Sequence, residues 1–104
     1  MTDVAERMTK IERSVAQAVE ALRTDAGASP VLAAVVGELE KKLGKAREAI
    51  SGGDAAAIRE AVVEVEQAAD SAKVAAEVDS GATDETRAAI TAAHDRICLL
   101  KSEM

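Results

Sequence analysis

Phenylalanine, tyrosine and tryptophan are absent from this 104-residue chain. That excludes a core of large rings, and with it the nucleic-acid modules that stack bases on aromatic side chains. Cysteine occurs once, at Cys98, so no internal disulfide can form and nothing points to an oxidising compartment. Zinc sites built from several cysteines are excluded for the same reason. Histidine also occurs once, at His94. The carboxylate-bridged di-iron bundles, which need Glu-x-x-His on two helices, are therefore out of reach. No stretch approaches the roughly 18 apolar residues of a membrane span. The N-terminal MTDVAERMTK has a charge every few residues and does not read as a secretory signal. The formal net charge of −6 disfavours nonspecific binding to phosphate backbones. Together these features suit the cytoplasm of a bacterial-type cell.

What is present is alanine, 24 residues of it, against 22 of valine, leucine and isoleucine combined. The larger aliphatics thus make about 21% of the chain, close to the roughly 20% below which charged chains tend not to fold. The length suits one domain, residues 1–104. Three breaker clusters, Asp25-Ala26-Gly27-Ala28-Ser29-Pro30, Ser51-Gly52-Gly53-Asp54 and Asp79-Ser80-Gly81-Ala82-Thr83, divide it into four segments. Each cluster offers a glycine for a left-handed helix stop and a polar cap for the next start. Ser29 before Pro30, then Asp54, then Thr83 ahead of Asp84 and Glu85, are the expected N-caps.

Between the breakers, apolar residues recur at alternating spacings of four and three. The seams are Val4, Met8, Ile11, Val15, Ala18, Leu22; Leu32, Val36, Leu39, Leu43, Ala46, Ile50; Ile58, Val62, Val65, Ala69, Ala72, Ala76; and Ile90, Ala93, Ile97, Leu100, Met104. This pattern predicts helices over about 3–25, 30–50, 55–79 and 84–103. Short loops then give an all-α, antiparallel up-down-up-down four-helix bundle, the alternative being two long helical hairpins that pair only in a dimer. Laid over each other, the two halves match only in the heptad seam, which any bundle would show, so no internal repeat is expected.

Chemistry-bearing motifs are few. His94 and Cys98 stand four apart and can share a helix face, but two ligands do not make a metal site, so none is expected. No cofactor or small-molecule ligand is implied. Ser14, Ser71 and Ser102 have no histidine at a plausible spacing, and KKLGKAR is not a phosphate loop. No enzyme activity is expected.

A bundle of about this length with one histidine resembles a histidine phosphotransfer domain in outline. That resemblance implies phosphorylation of His94. Such domains usually have lysine and glycine three and four positions after the histidine; here those positions are Ile97 and Cys98. Residues 46–69, with the Gly53-Asp54 turn and the Ala57-Ile58 pair, are similar to a helical hairpin in the C-terminal lid of seventy-kilodalton heat-shock chaperones. The shared residues are those of helical hairpins in general, and the similarity is read as convergence.

Charge is uneven. Lys41, Lys42, Lys45 and Arg47 crowd the second segment, while Glu60, Glu64, Glu66, Asp70 and Glu77 load the third. This favours pairing of those two helices; the functional alternative is an acidic docking face for a basic partner. Gly37 and Gly44 lie seven apart inside the second helix, at a cost of about 1 kcal/mol each relative to alanine. They are either tolerated there or admit another helix. Val31, Val35, Val63, Val74, Val78 and Leu99 fall off the seams. Of these, Val31, Val35, Val74 and Val78 are expected to lie near one end of the bundle as an apolar surface. The functional expectation is a non-catalytic protein–protein interaction module that self-associates through those valines. The alternative is an export chaperone or adaptor of the secretion or flagellar type, on composition alone.

Overall fold

The computed structural model describes residues 4–104. Four helices follow in order: α1 (Val4–Arg23), α2 (Pro30–Gly52), α3 (Ala55–Val78) and α4 (Asp84–Ser102). They agree with the expected segments to within two residues at the described ends; the expected start near residue 3 lies outside the described residues. Each helix packs on its two neighbours in the ring α1–α2–α3–α4, forming a four-helix bundle of 41 × 23 × 19 Å. Along α3, residues Arg59, Glu66, Asp70 and Ala76 meet Met104, Lys101, His94 and Arg87 on or just after α4. Numbers rise on one helix as they fall on the other, the order that helices of opposite sense produce.

The core is the set of seams. Met8, Ile11, Val15 and Ala18 meet Leu32, Val36, Leu39, Leu43 and Ala46, with Val62, Val65, Ala69, Ala72 and Ala76, and Ile90, Ala93, Ile97 and Leu100. The outermost seam members are only partly covered, and Met104 is exposed. The three caps form as their residue types dictate. Ser29 Oγ accepts from the Leu32 amide, Asp54 from Ala56 and Thr83 from Thr86, each satisfying an amide that the helix leaves unpaired.

The glycines divide the work differently from expectation. Only Gly53 takes a left-handed conformation, at φ 75°, closing the Schellman-like end of α2. Gly27 and Gly81 do not stop their helices this way. They let two loops touch backbone to backbone, and a methyl on either would overlap the other's carbonyl oxygen. Around that contact the loops clasp each other. Asp25 Oδ1 accepts from its own Gly27 amide at 3.1 Å, and Oδ2 accepts from Thr83 across the gap at 2.8 Å. Asp79 Oδ1 accepts from Gly81 at 3.0 Å, and Oδ2 from Ser29 at 2.8 Å. Thr86, fully buried, adds its hydroxyl to Asp25 Oδ2 at 2.7 Å.

These reciprocal bonds reveal an internal repeat that the seam alone left unread. One shift in numbering takes Asp25 to Asp79, Gly27 to Gly81, Ala28 to Ala82 and Ser29 to Thr83. The same shift takes every seam residue of α1 to one of α3, and every seam residue of α2 to one of α4 except Leu32, whose counterpart is the buried Thr86. It also carries the ion pair Arg47–Glu12 onto Lys101–Glu66. The two hairpins are thus copies in pattern.

Gly37 and Gly44, by contrast, have open space where a methyl would go, so no helix of the same chain approaches them. Gly37→Ala and Gly44→Ala are expected to stabilise the protein by about 1 kcal/mol each, whereas Gly27→Ala and Gly81→Ala should destabilise it by about 1–3 kcal/mol. Urea denaturation of the four variants checks this contrast.

The clasp also sets an acid limit. The amides of Thr83 and Ser29 hold the Asp25 and Asp79 carboxyls below their ordinary range, with the Thr86 hydroxyl helping at Asp25. A depressed carboxyl contributes stability above its unfolded value, near 4, and loses it as pH falls through the folded value. Melting temperature should therefore drop below about pH 4, and less steeply in Asp25→Asn, Asp79→Asn protein that is already weakened at neutral pH.

Candidate functional site

Three of the four sequence-chosen valines stand in solvent: Val31 is 66%, Val74 58% and Val78 77% exposed. Val35 differs. It is half-buried and packs against the core from the groove between α2 and α3. That groove is lined by Ala34, Val35, Glu38, Ala68 and Ser71, and beyond them by Val31, Ala75 and Val78 next to the clasped loops. The valines therefore reach the end of the bundle where the first and third loops lie. One core face of each helix suffices for folding, and Val31, Val74 and Val78 project away from it.

Of the other off-seam residues, Val63 is half-buried, and Leu99 is exposed in a groove with Arg7, Lys10 and Arg96 between α1 and α4. The charges of α2 and α3 meet directly in Lys42–Glu64 at 2.9 Å, with Lys45 adding a longer-range attraction to Glu64. Lys41 and Lys45 stay exposed.

A second feature lies on the α3–α4 side, where His94 and Cys98 meet a residue the sequence reasoning missed. Asp70 reaches across from α3, and its Oδ1 lies 2.7 Å from His94 Nε2. His94 Nδ1 faces Asp95 Oδ1 at 3.2 Å. Cys98 Sγ sits 3.5 Å from Nε2 and 4.0 Å from Nδ1. The i, i+4 spacing places His94 and Cys98 one turn apart on α4. Asp70 joins them because helix pairing, which no local pattern encodes, sets α3 at that level. Its only signal was its membership of the acidic run.

The cluster's electrostatics argue against two chemistries. Partial burial, with the carboxylates of Glu66, Asp70 and Asp95 nearby, pushes the Cys98 thiol above its ordinary range, and Lys73 only partly opposes this. A nucleophilic thiolate needs the reverse environment. Phosphotransfer needs a ring nitrogen open to a phosphoryl donor and a cation beside it. Both nitrogens of His94 instead face carboxylates, its side chain is 13% exposed, and Ile97 is in the core.

Comparison with protein-family models, with curated proteins and with solved structures yielded no match. Among the described residues, no helix is long and apolar enough to cross a membrane.

With its thiol held protonated, Cys98 should alkylate with iodoacetamide at pH 7–8 several-fold more slowly than free cysteine. The rate should rise only at alkaline pH or when urea unfolds the chain. Labelling at the rate of free cysteine in the native protein would contradict this account.

Proposed function

We propose that this chain is a non-catalytic protein–protein interaction module, and that its partner is a second copy of itself bound through the α2–α3 face. One observation carries the reading. The internal repeat preserves the seams yet does not preserve the valines. The repeat counterparts of Val31, Val35, Val74 and Val78 are Glu85, Ala89, Glu20 and Thr24 on the α1–α4 side. The same backbone thus folds without valine at any of these four positions, so the fold does not require them on the α2–α3 surface. Exposed apolar patches with no structural need mark contact surfaces.

Charge favours a second copy as the occupant. A two-fold axis parallel to the helices lays α2 of one copy on α3 of the other. Val31 then faces the partner's α3 near Val74 and Val78. The Lys42–Glu64 bond fixes which levels coincide. Exposed Lys45, about one turn from Lys42, falls opposite the region of exposed Glu60, about one turn from Glu64. Valine burial at about 1.5–3 kcal/mol per side chain, counted from both copies, is comparable with the about 4–15 kcal/mol that association costs. A weak, concentration-dependent dimer follows. We place it in the cytoplasm, where a single free thiol is maintained.

The melting temperature should therefore rise with protein concentration over a hundredfold range. Val74→Glu with Val78→Glu should give a folded, helical monomer by sedimentation and circular dichroism. A flat melting temperature in the parent protein would remove self-association. Retention of an unfolded export substrate by a persistent monomer would favour the chaperone or adaptor alternative.

A further inference from the structure

We propose that Asp70, His94 and Cys98 form a binding site for a divalent cation of the zinc class, joining α3 to α4 and leaving a coordination position for water. The three donor atoms, a carboxylate oxygen, an imidazole nitrogen and a sulfur, all lie within 4.8 Å of one another. Mixed oxygen, nitrogen and sulfur donors are the set that zinc takes. Open sites of this metal commonly hold three protein ligands and one water.

The sulfur–nitrogen edge already has tetrahedral length. With zinc–sulfur bonds of about 2.3 Å and zinc–nitrogen bonds of about 2.0–2.1 Å, the sulfur–nitrogen edge is about 3.6 Å. Cys98 Sγ lies 3.5 Å from His94 Nε2. The nitrogen–oxygen edge should be about 3.3 Å by the same geometry, against 2.7 Å in the hydrogen bond to Asp70. Binding requires the Asp70 side chain, 57% exposed, to swing outward by about half an ångström, and the Cys98 side chain to turn toward the Nε2 lone pair, because its sulfur, 4.0 Å from Nδ1, lies beside the ring.

The surroundings complete the argument. Metal-bound imidazole needs its other nitrogen held as a donor, which fixes the tautomer. Asp95 stands at Nδ1, 3.2 Å away, to accept that proton. Glu66, Asp70 and Asp95 make the sulfur's environment negative, with Lys73 the opposing charge. That environment disfavours a bare thiolate and favours a cation. On binding, the Cys98 thiol releases its proton to solvent as the sulfur–metal bond forms. His94 binds through Nε2 with its proton on Nδ1.

The internal repeat supplies a control here too. The counterparts of Asp70, His94 and Cys98 are Ala16, Glu40 and Gly44, none of them a nitrogen or sulfur ligand. The donors are therefore not part of the scaffold that the two halves share.

The test is a titration of the full chain with Co2+, under argon and with a phosphine reductant. A thiolate-to-cobalt charge-transfer band in the near ultraviolet and intensified visible bands are expected at one equivalent, both bleached by Zn2+. Cys98→Ser should remove the charge-transfer band. Asp70→Asn and His94→Ala should each weaken Zn2+ binding at least about tenfold, and Asp95→Asn about tenfold. Asp84→Asn, on the same helix but at its far end, should leave binding unchanged. The spectrum of the aqueous ion persisting in wild-type protein at millimolar Co2+ overturns the site, whatever the variants do. So does wild-type affinity in folded Asp70→Asn and His94→Ala proteins.

Discussion

Two aspartates hold this bundle in register. Helices with narrow, small-residue seams can slide along one another with little change in buried area, because one alanine presents much the same surface as the next. A fixed polar contact between the hairpins removes that freedom. Asp25 and Asp79 provide it by spending one carboxylate oxygen on their own loop and the other on the opposite loop. Charge-assisted bonds to backbone amides are stronger and more directional than neutral ones. They also occupy the amides of Ser29 and Thr83, the residues that cap α2 and α4. Loop closure, helix initiation and hairpin alignment thus share one set of atoms, and the close approach of Gly27 and Gly81 makes that set geometrically possible.

The far end of the bundle is tied more loosely. There the α2–α3 turn needs only Gly53 and Asp54, and cross-helix links run through side chains. Arg7 pairs with Glu103, and Arg59 reaches the Met104 carbonyl. Exposed ion pairs of this kind contribute about 0–1 kcal/mol. The outer seam residues at that end, Val4, Ile50 and Ile58, are only partly buried. Stability is thus concentrated toward the clasp, and fraying should begin at the opposite end, where local openings require the fewest buried contacts to break.

Much of this was legible from residue order. Heptad seams identified the buried faces, since Met8, Leu32, Val62 and Ile97 lie where a single apolar stripe puts them. Serine, aspartate and threonine before the helix starts identified the caps. The roles of Gly27 and Gly81 were misread because a glycine needed for a left-handed turn and one needed for backbone contact look alike in sequence. Only the partner loop distinguishes them. Asp70 was missed for a related reason. A seam tells which face of a helix is inward, but not the level at which two helices meet. That level depends here on the clasp, a contact between loops far apart in the chain.

The repeat turns the molecule into its own comparison. Positions alike in both halves, namely the seams, the capping residues, the Asp–Gly loops and the pairs Arg47–Glu12 and Lys101–Glu66, are those the fold needs. Positions that differ are free of that requirement. Among the differences are valine against glutamate at Val31/Glu85 and Val74/Glu20, and the histidine and thiol against Glu40 and Gly44. Both sets fall on α2, α3 and α4, and α3 contributes to each through Val74, Val78 and Asp70. Asp70 and Val74 lie about one helical turn apart, about 6 Å of rise. A cation that fixed α3 against α4 would therefore fix the presentation of Val74 and Val78 as well. Coupling between the two surfaces needs no conformational change, only the rigidity of one turn of helix.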